Sequence, residues 1–196
     1  LLLRSGPDDH SPLSGYELVA DRVVLLAAMA GRYPHSPTRW PECNACGCYN
    51  GADATSRATA AAASSYVSSH LPPSVRIIWL GYEAGESVRT GAVLETCAAP
   101  TNPCRQAMLT YKRDSSWGWA EGGRCSWDPL TTLLAVRGVS VEAMGLSECV
   151  GCDGINSIDP VSGNNAWVAG SRTNQSYVLL EDRLTAQGAV DALLCQ

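Results

Sequence analysis

Eight consecutive apolar residues, Val23 to Ala30, end abruptly at Gly31. They do not alternate with polar residues, so the run reads as a parallel strand covered on both faces, not as a strand with one wet side. It is the longest apolar run in the chain and far short of the ~20 residues that a membrane helix needs. Beyond it, Arg32 to Asp53 is a polar loop rich in Pro, Gly, Asn and Cys. Open α/β sheets place their chemistry in such loops, at the carboxyl ends of parallel strands. Ala54 to His70 is Ala-rich and predicts a helix, stopped at Leu71-Pro72-Pro73 where proline removes the backbone donor. Val75 to Leu80, closed by Gly81, is the next β-branched strand. Strand, helix and strand in this order imply a right-handed parallel crossover and an α/β class.

Downstream, Pro103 to Tyr111 predicts a helix. Asp128-Pro129 followed by Leu130, Leu133 and Leu134 predicts another, capped by Asp128 and ending near Gly138. Tyr177 to Leu180 reads as a strand and Asp182 to Leu194 as a final helix. Gly138 to Gly170 shows no clear period. The 196 residues carry no internal repeat and no low-complexity linker, which suits one domain or part of one. The opening Leu1-Leu2-Leu3-Arg4 reads as an internal start.

Composition bounds the partners. With 45% hydrophobic and 17% charged residues the chain is a globular body, not a disordered tail or a coiled coil. Its formal charge of -5 disfavours a polyanionic nucleic acid. Nine cysteines favour disulfides formed in a secreted or other oxidising location, and the odd number leaves one thiol over or points to an intermolecular bond. Cys43-x2-Cys46-x-Cys48 and Cys149-x2-Cys152 have metal-like local spacing without neighbouring histidines, so structural zinc is the weaker reading. The sequon Asn174-Gln175-Ser176 is compatible with export.

Three short constellations could carry chemistry. Glu42 and Asn44 stand two apart in the loop after the first strand; in extended backbone they share a side and could grip vicinal hydroxyls, or the segment is a solvated Asx turn. Asp128 is either a helix cap or a carboxylate offered to a hard cation such as calcium. Gly81-Tyr82-Glu83-Ala84-Gly85-Glu86 reads as a tight turn whose acids favour the start of a short helix.

The order of these segments resembles the inosine-uridine preferring nucleoside hydrolases. The stretch "DDHSPLSGYELVADR" followed by "VVLLAAMAGRYP" is similar to that family's helix and strand leading to a Met-Gly-Gly turn, here Met29-Ala30-Gly31. "PECN" is similar to its Glu-x-Asn sugar signature, and "RCSWDPLTTLLAVRG" to the Asp-Pro helix that closes its metal site. "IIWLGYEAGESVRTGAVL", "NPCRQAM", "GNNAWV" and the terminal "VDALL" follow the family's order, so the resemblance runs over nearly the whole chain.

The resemblance implies a nucleoside hydrolase-like α/β fold, a mostly parallel sheet flanked by helices and incomplete at its N-terminal side. Residues 1–196 would then be the C-terminal portion of one such domain. It implies ribose contacts by Glu42 and Asn44, a calcium ligand in Asp128, and a nucleoside or ribose-like small molecule as partner. The family's Asp-rich opening, which supplies the base and most metal ligands, has no counterpart here; Trp127 replaces a frequent His, and Ser36 stands near where another sugar-binding Asn is expected. No catalytic residue is therefore assigned. Calcium would bind only if N-terminal ligands were supplied, and the segment alone would be inactive. Two functions follow: N-glycosidic hydrolysis of ribonucleosides when the missing N-terminal portion completes the protein, or a non-catalytic structural or interaction subunit of a larger assembly.

Overall fold

The computed structural model describes residues 1–34, 43–45, 52–115, 117–171 and 173–196. In chain order its elements are α1 (Gly15–Arg22), β1 (Leu25–Met29), α2 (Ala54–His70), β2 (Arg76–Leu80), α3 (Tyr82–Ser87), β3 (Arg89–Gly91), α4 (Leu94–Cys97), α5 (Pro103–Asp114), β4 (Trp119–Ala120), β5 (Gly123–Cys125), α6 (Trp127–Arg137), α7 (Val141–Met144), β6 (Leu146–Glu148), β7 (Gly154–Ile158), β8 (Asn165–Ala169), β9 (Gln175–Leu180) and α8 (Arg183–Leu194). The chain is mixed α/β and divides into two compact units, Leu1–Gly81 with Cys149–Tyr177 and Tyr82–Glu148 with Val178–Gln196. Among the described residues no helix is long and apolar enough to cross a membrane.

In the first unit, α1 opens on a reciprocal cap. Ser14 Oγ accepts from Glu17 N, and Glu17 Oε2 accepts from Ser14 N at 2.7 Å. These hydrogen bonds, with the Ser14 hydroxyl donating as well, hold the Glu17 carboxyl below its ordinary range. β1 and β2 pair in parallel from Leu25↔Arg76 to Met29↔Leu80, and α2 connects them. Asp53 caps α2 by accepting from Ser56 N at 2.8 Å, and the helix stops before Pro72-Pro73 as the sequence requires.

Residues Gln175–Tyr177 of β9 pair in parallel with β2. β7 and β8 form an antiparallel hairpin from Gly154↔Ala169 to Ile158↔Asn165. The core here is Val75, Ile77, Ile78, Trp79, Leu80 and Tyr177. β1 departs from its expected cover on both faces: every residue of it is half-buried, and among the described residues it pairs with β2 alone.

In the second unit, β3, β5 and β4 make an antiparallel sheet, and Val178–Leu180 of β9 pair antiparallel with β6. The expectation of a mostly parallel sheet thus holds for β1, β2 and the start of β9, while the other pairings among the described residues are antiparallel. For β4 and β5 the cause is the tight turn that joins them, in which Gly122 takes φ 94°; a two-residue connection allows only antiparallel pairing. Leu130, Leu133 and Leu134 of α6 and Ala186 and Val190 of α8 form the core. The disulfide Cys97–Cys195 ties the end of α8 to α4 across 98 residues, with Cα atoms 5.5 Å apart.

Candidate functional site

The carboxyl end of the β1–β2 pair is held in shape by a turn that leaves the strand through Gly31, at φ 80°. A Cβ at Gly31 would run into the carboxamide of Asn165, so close approach as well as backbone angle demands glycine. That carboxamide reads the backbone of Arg32 in both directions: Arg32 N donates to Asn165 Oδ1 at 2.8 Å and Asn165 Nδ2 donates to Arg32 O at 3.0 Å. Tyr33 is buried, stacks on Tyr177 with centroids 4.8 Å apart, and meets Trp167 edge-on at 5.8 Å. Its hydroxyl donates to Ala30 O at 3.0 Å. The turn after β1 is therefore a fixed platform.

Asn44 sits on this platform. Its Nδ2 donates to Met29 O, the last carbonyl of β1, at 2.9 Å. This bond fixes which way the exposed carboxamide faces. Glu42, its expected companion, lies outside the described residues, as do His35 and Ser36. Cys43, between Glu42 and Asn44, is disulfide-bonded.

Asp128 belongs to the second unit and is exposed on the first turn of α6. The sequence placed it at the N-cap. The helix starts two residues earlier, with Ser126 at the cap position and Asp128 second in the helix. The cause is local: the Ser126 hydroxyl is buried against Thr90 and donates to Arg124 O, so it does not cap, while Trp127 is already drawn into the helix. Trp127 Nε1 donates to Tyr82 O at 2.8 Å, and its ring lies 5.1 Å from Tyr82 and 6.0 Å from Trp117. Gly85 permits this approach, because a Cβ there would strike the Trp127 ring. The Arg124 guanidinium lies 4.8 Å from the Tyr111 ring and 5.4 Å from that of Trp117. Burial, helped by the Glu86 charge, pushes the Tyr82 phenol up. Burial also pushes up the thiol of Cys125, away from the thiolate a nucleophile requires.

Asn44 and Asp128 thus lie in different units, each on a rigid support. A calcium ion takes ~6 to 8 oxygens, and the Asp128 carboxylate offers two. Among the described residues no group of three or more His, Cys, Asp or Glu side chains could hold a metal, so the donors present do not fit calcium by themselves. Sequence reasoning missed Asn165 and Trp167 as builders of the platform; the signal was Asn164-Asn165 beside a Trp. Cys149 and Cys152, which had metal-like spacing, form a disulfide. The sequon Asn174 is turned inward, with Nδ2 donating to Val75 O at 2.6 Å. A scan against protein-family models and a search of curated proteins each return no match to this chain.

Proposed function

We propose that this chain is the C-terminal portion of a nucleoside hydrolase-like domain, and that the protein completed by an acidic N-terminal segment hydrolyses the N-glycosidic bond of ribonucleosides. The observation that carries this reading is the anchoring of Asn44 on the final carbonyl of β1, at the carboxyl end of a parallel strand–helix–strand unit. In this reading Glu42 and Asn44 receive ribose hydroxyls, the Met29 carbonyl holding the Asn44 carboxamide in register. Asp128 supplies one carboxylate of a calcium site whose other ligands, and whose catalytic base, come from the N-terminal segment. The disulfides Cys97–Cys195 and Cys149–Cys152 favour a secreted or other oxidising location.

The test of the sugar contact is discrimination between ribo- and 2′-deoxyribonucleosides by the complete protein. Asn44→Ala should lower kcat/KM for the ribonucleoside by about a hundredfold and that for the deoxynucleoside much less. Equal losses on both substrates would remove Asn44 from the sugar.

A second reading, a non-catalytic subunit of a larger assembly, is favoured by the edge of β1. Its apolar residues Leu25–Met29 pair on one side only among the described residues, and such an edge templates another strand. Size-exclusion of the purified protein with and without its source extract separates the readings: a stable complex without nucleosidase activity supports the subunit, a monodisperse monomer counts against it.

A further inference from the structure

Two thiols are free among the described residues: Cys125 is buried, and Cys104 is half-buried in the first turn of α5. The contacts around Cys104 set it beside the Cys97–Cys195 bridge, all within the second unit. Asn102, at the cap of α5, donates from Nδ2 to Leu194 O at 3.2 Å and to Gln196 O at 3.4 Å, the two neighbours of Cys195. Arg105, next to Cys104, donates from Nη1 to Ala98 O at 3.1 Å, the neighbour of Cys97. Residues on both sides of the free thiol therefore hold the chain beside both bridged cysteines.

The two helices bring Cys104 and Cys195 to the same level. A Cβ at Gly91 would press on the Met108 side chain, and Asp191 Oδ1 accepts from Gly91 N at 2.8 Å, so α5 and α8 meet around that glycine. Cys104 lies one turn before Met108. Cys195 lies one turn after Asp191, its N–H donating to Asp191 O at 3.0 Å. Because the start of α5 meets the end of α8, those two turns extend in the same direction. Residues four apart share a helix face, so Cys104 and Cys195 face one seam.

Three sulfurs at one seam, two bonded and one free, can change partners without an oxidant or a reductant. The surroundings choose the sulfur that is attacked and the one that leaves. The short Asn102 side chain brackets Cys195 and brings the start of α5 against it. Cys97 is exposed, so water solvates its sulfur as it leaves. The Arg105 guanidinium on Ala98 O adds positive charge on that side, while the Glu95 carboxylate of α4 is taken up by Lys112 Nζ at 2.7 Å. A Cys104–Cys195 bridge closes a loop of 91 residues in place of 98, so chain entropy hardly favours either pairing.

We propose that Cys104 exchanges with the Cys97–Cys195 bridge and so moves the free thiol from a half-buried helix start to the exposed Cys97. The deprotonated Cys104 sulfur bonds to Cys195 Sγ and the Cys97–Cys195 bond breaks. Its electron pair stays on Cys97 Sγ, which takes up the proton that Cys104 released. The number of disulfides is unchanged, and the exchange is independent of the nucleoside reading.

The test alkylates the folded, oxidised chain with N-ethylmaleimide and no reductant, then maps its peptides without reduction. Cys97 should carry at least about a tenth of the label found on Cys97 and Cys104 together, matched by a Cys104–Cys195 disulfide peptide. Cys104→Ser, which removes the attacking sulfur, should lower labelling of Cys97 at least about tenfold. A smaller share at Cys97 in the parent chain, or a smaller fall in the variant, would overturn the proposal; the second result would mean a bridge left partly unformed. Should that variant not fold, Cys97→Ser takes its place: a Cys104–Cys195 bridge formed in air supports the exchange, and two alkylatable thiols at those positions refute it.

Discussion

Removing the Cys97–Cys195 bridge should cost far more than removing Cys149–Cys152, although the chemistry deleted is the same. The first closes a loop of 98 residues and the second one of 3. With a loop-closure entropy that grows as the logarithm of loop length, the long bridge lowers the unfolded state's entropy by roughly 16 cal/mol/K, or about 4.7 kcal/mol at room temperature, and the short one by about 1.6 kcal/mol. Residual structure in the unfolded chain reduces the larger figure more, so the expected losses are about 2–5 kcal/mol for Cys97→Ser with Cys195→Ser and under about 2 kcal/mol for Cys149→Ser with Cys152→Ser. For a chain of this length about 3 kcal/mol lowers Tm by about 10 °C. Calorimetric scans of the two double variants under identical oxidising conditions give the comparison. Equal shifts, or a larger shift for the short loop, would refute the entropic argument and with it the role of the long bridge in securing α8.

Two further outcomes follow from burial. Leu134 is fully buried in α6 while Val136 on the same helix is 78% exposed. Leu134→Ala should cost about 2–5 kcal/mol in urea unfolding and Val136→Ser no more than about 0.5 kcal/mol. Asp191 in α8 is buried and its Oδ1 accepts from Gly91 N at 2.8 Å; burial outweighs that bond and its contact with Gln187, and raises its pKa above the ordinary 3.8. The folded state then holds a proton that the unfolded state has lost, so stability from this group is greatest at acid pH and declines as pH rises from about 3.8 through the raised value. Asp191→Asn keeps the acceptor for Gly91 and should flatten that decline; a melting-temperature profile against pH that is identical in both proteins would contradict the assignment.

Much of the α/β frame was legible because its signals are local. Ala54–His70 begins and ends where the Asp53 cap and the Pro72-Pro73 stop place it, and Arg76–Leu80 follows the β-branched run. α8 starts after Asp182, whose carboxylate accepts from Leu184 N and Thr185 N. The stretch Gly138–Gly170 was not legible, and β7 shows why. Its inward positions are Gly154, Asn156 and Ile158, so the buried face of the strand contains a glycine and a carboxamide and its alternation vanishes from any apolar pattern. β3, β4 and β5 are two or three residues long, too short for a period.

The candidate site was legible in part. The apolar run before it placed the Arg32–Asp53 loop at a strand's carboxyl end, and Asn44 is anchored there on the last carbonyl of β1; Glu42 lies outside the described residues. The supports of that loop come from Asn165, Trp167 and Tyr177, over a hundred residues away, a pairing that local sequence cannot display. Asp128 was misplaced by two positions, because the pull of the Tyr82 carbonyl on Trp127 is a tertiary effect.

The decisive measurement is the calcium dependence of base release from ribonucleosides by the complete protein, with Asp128→Ala alongside. The account predicts release that chelation of calcium abolishes, a loss of about a hundredfold or more in the variant at unchanged circular dichroism, and no release from residues 1–196 alone. Base release that proceeds at full rate in Asp128→Ala, or a complete protein that releases no base with calcium present, would contradict it.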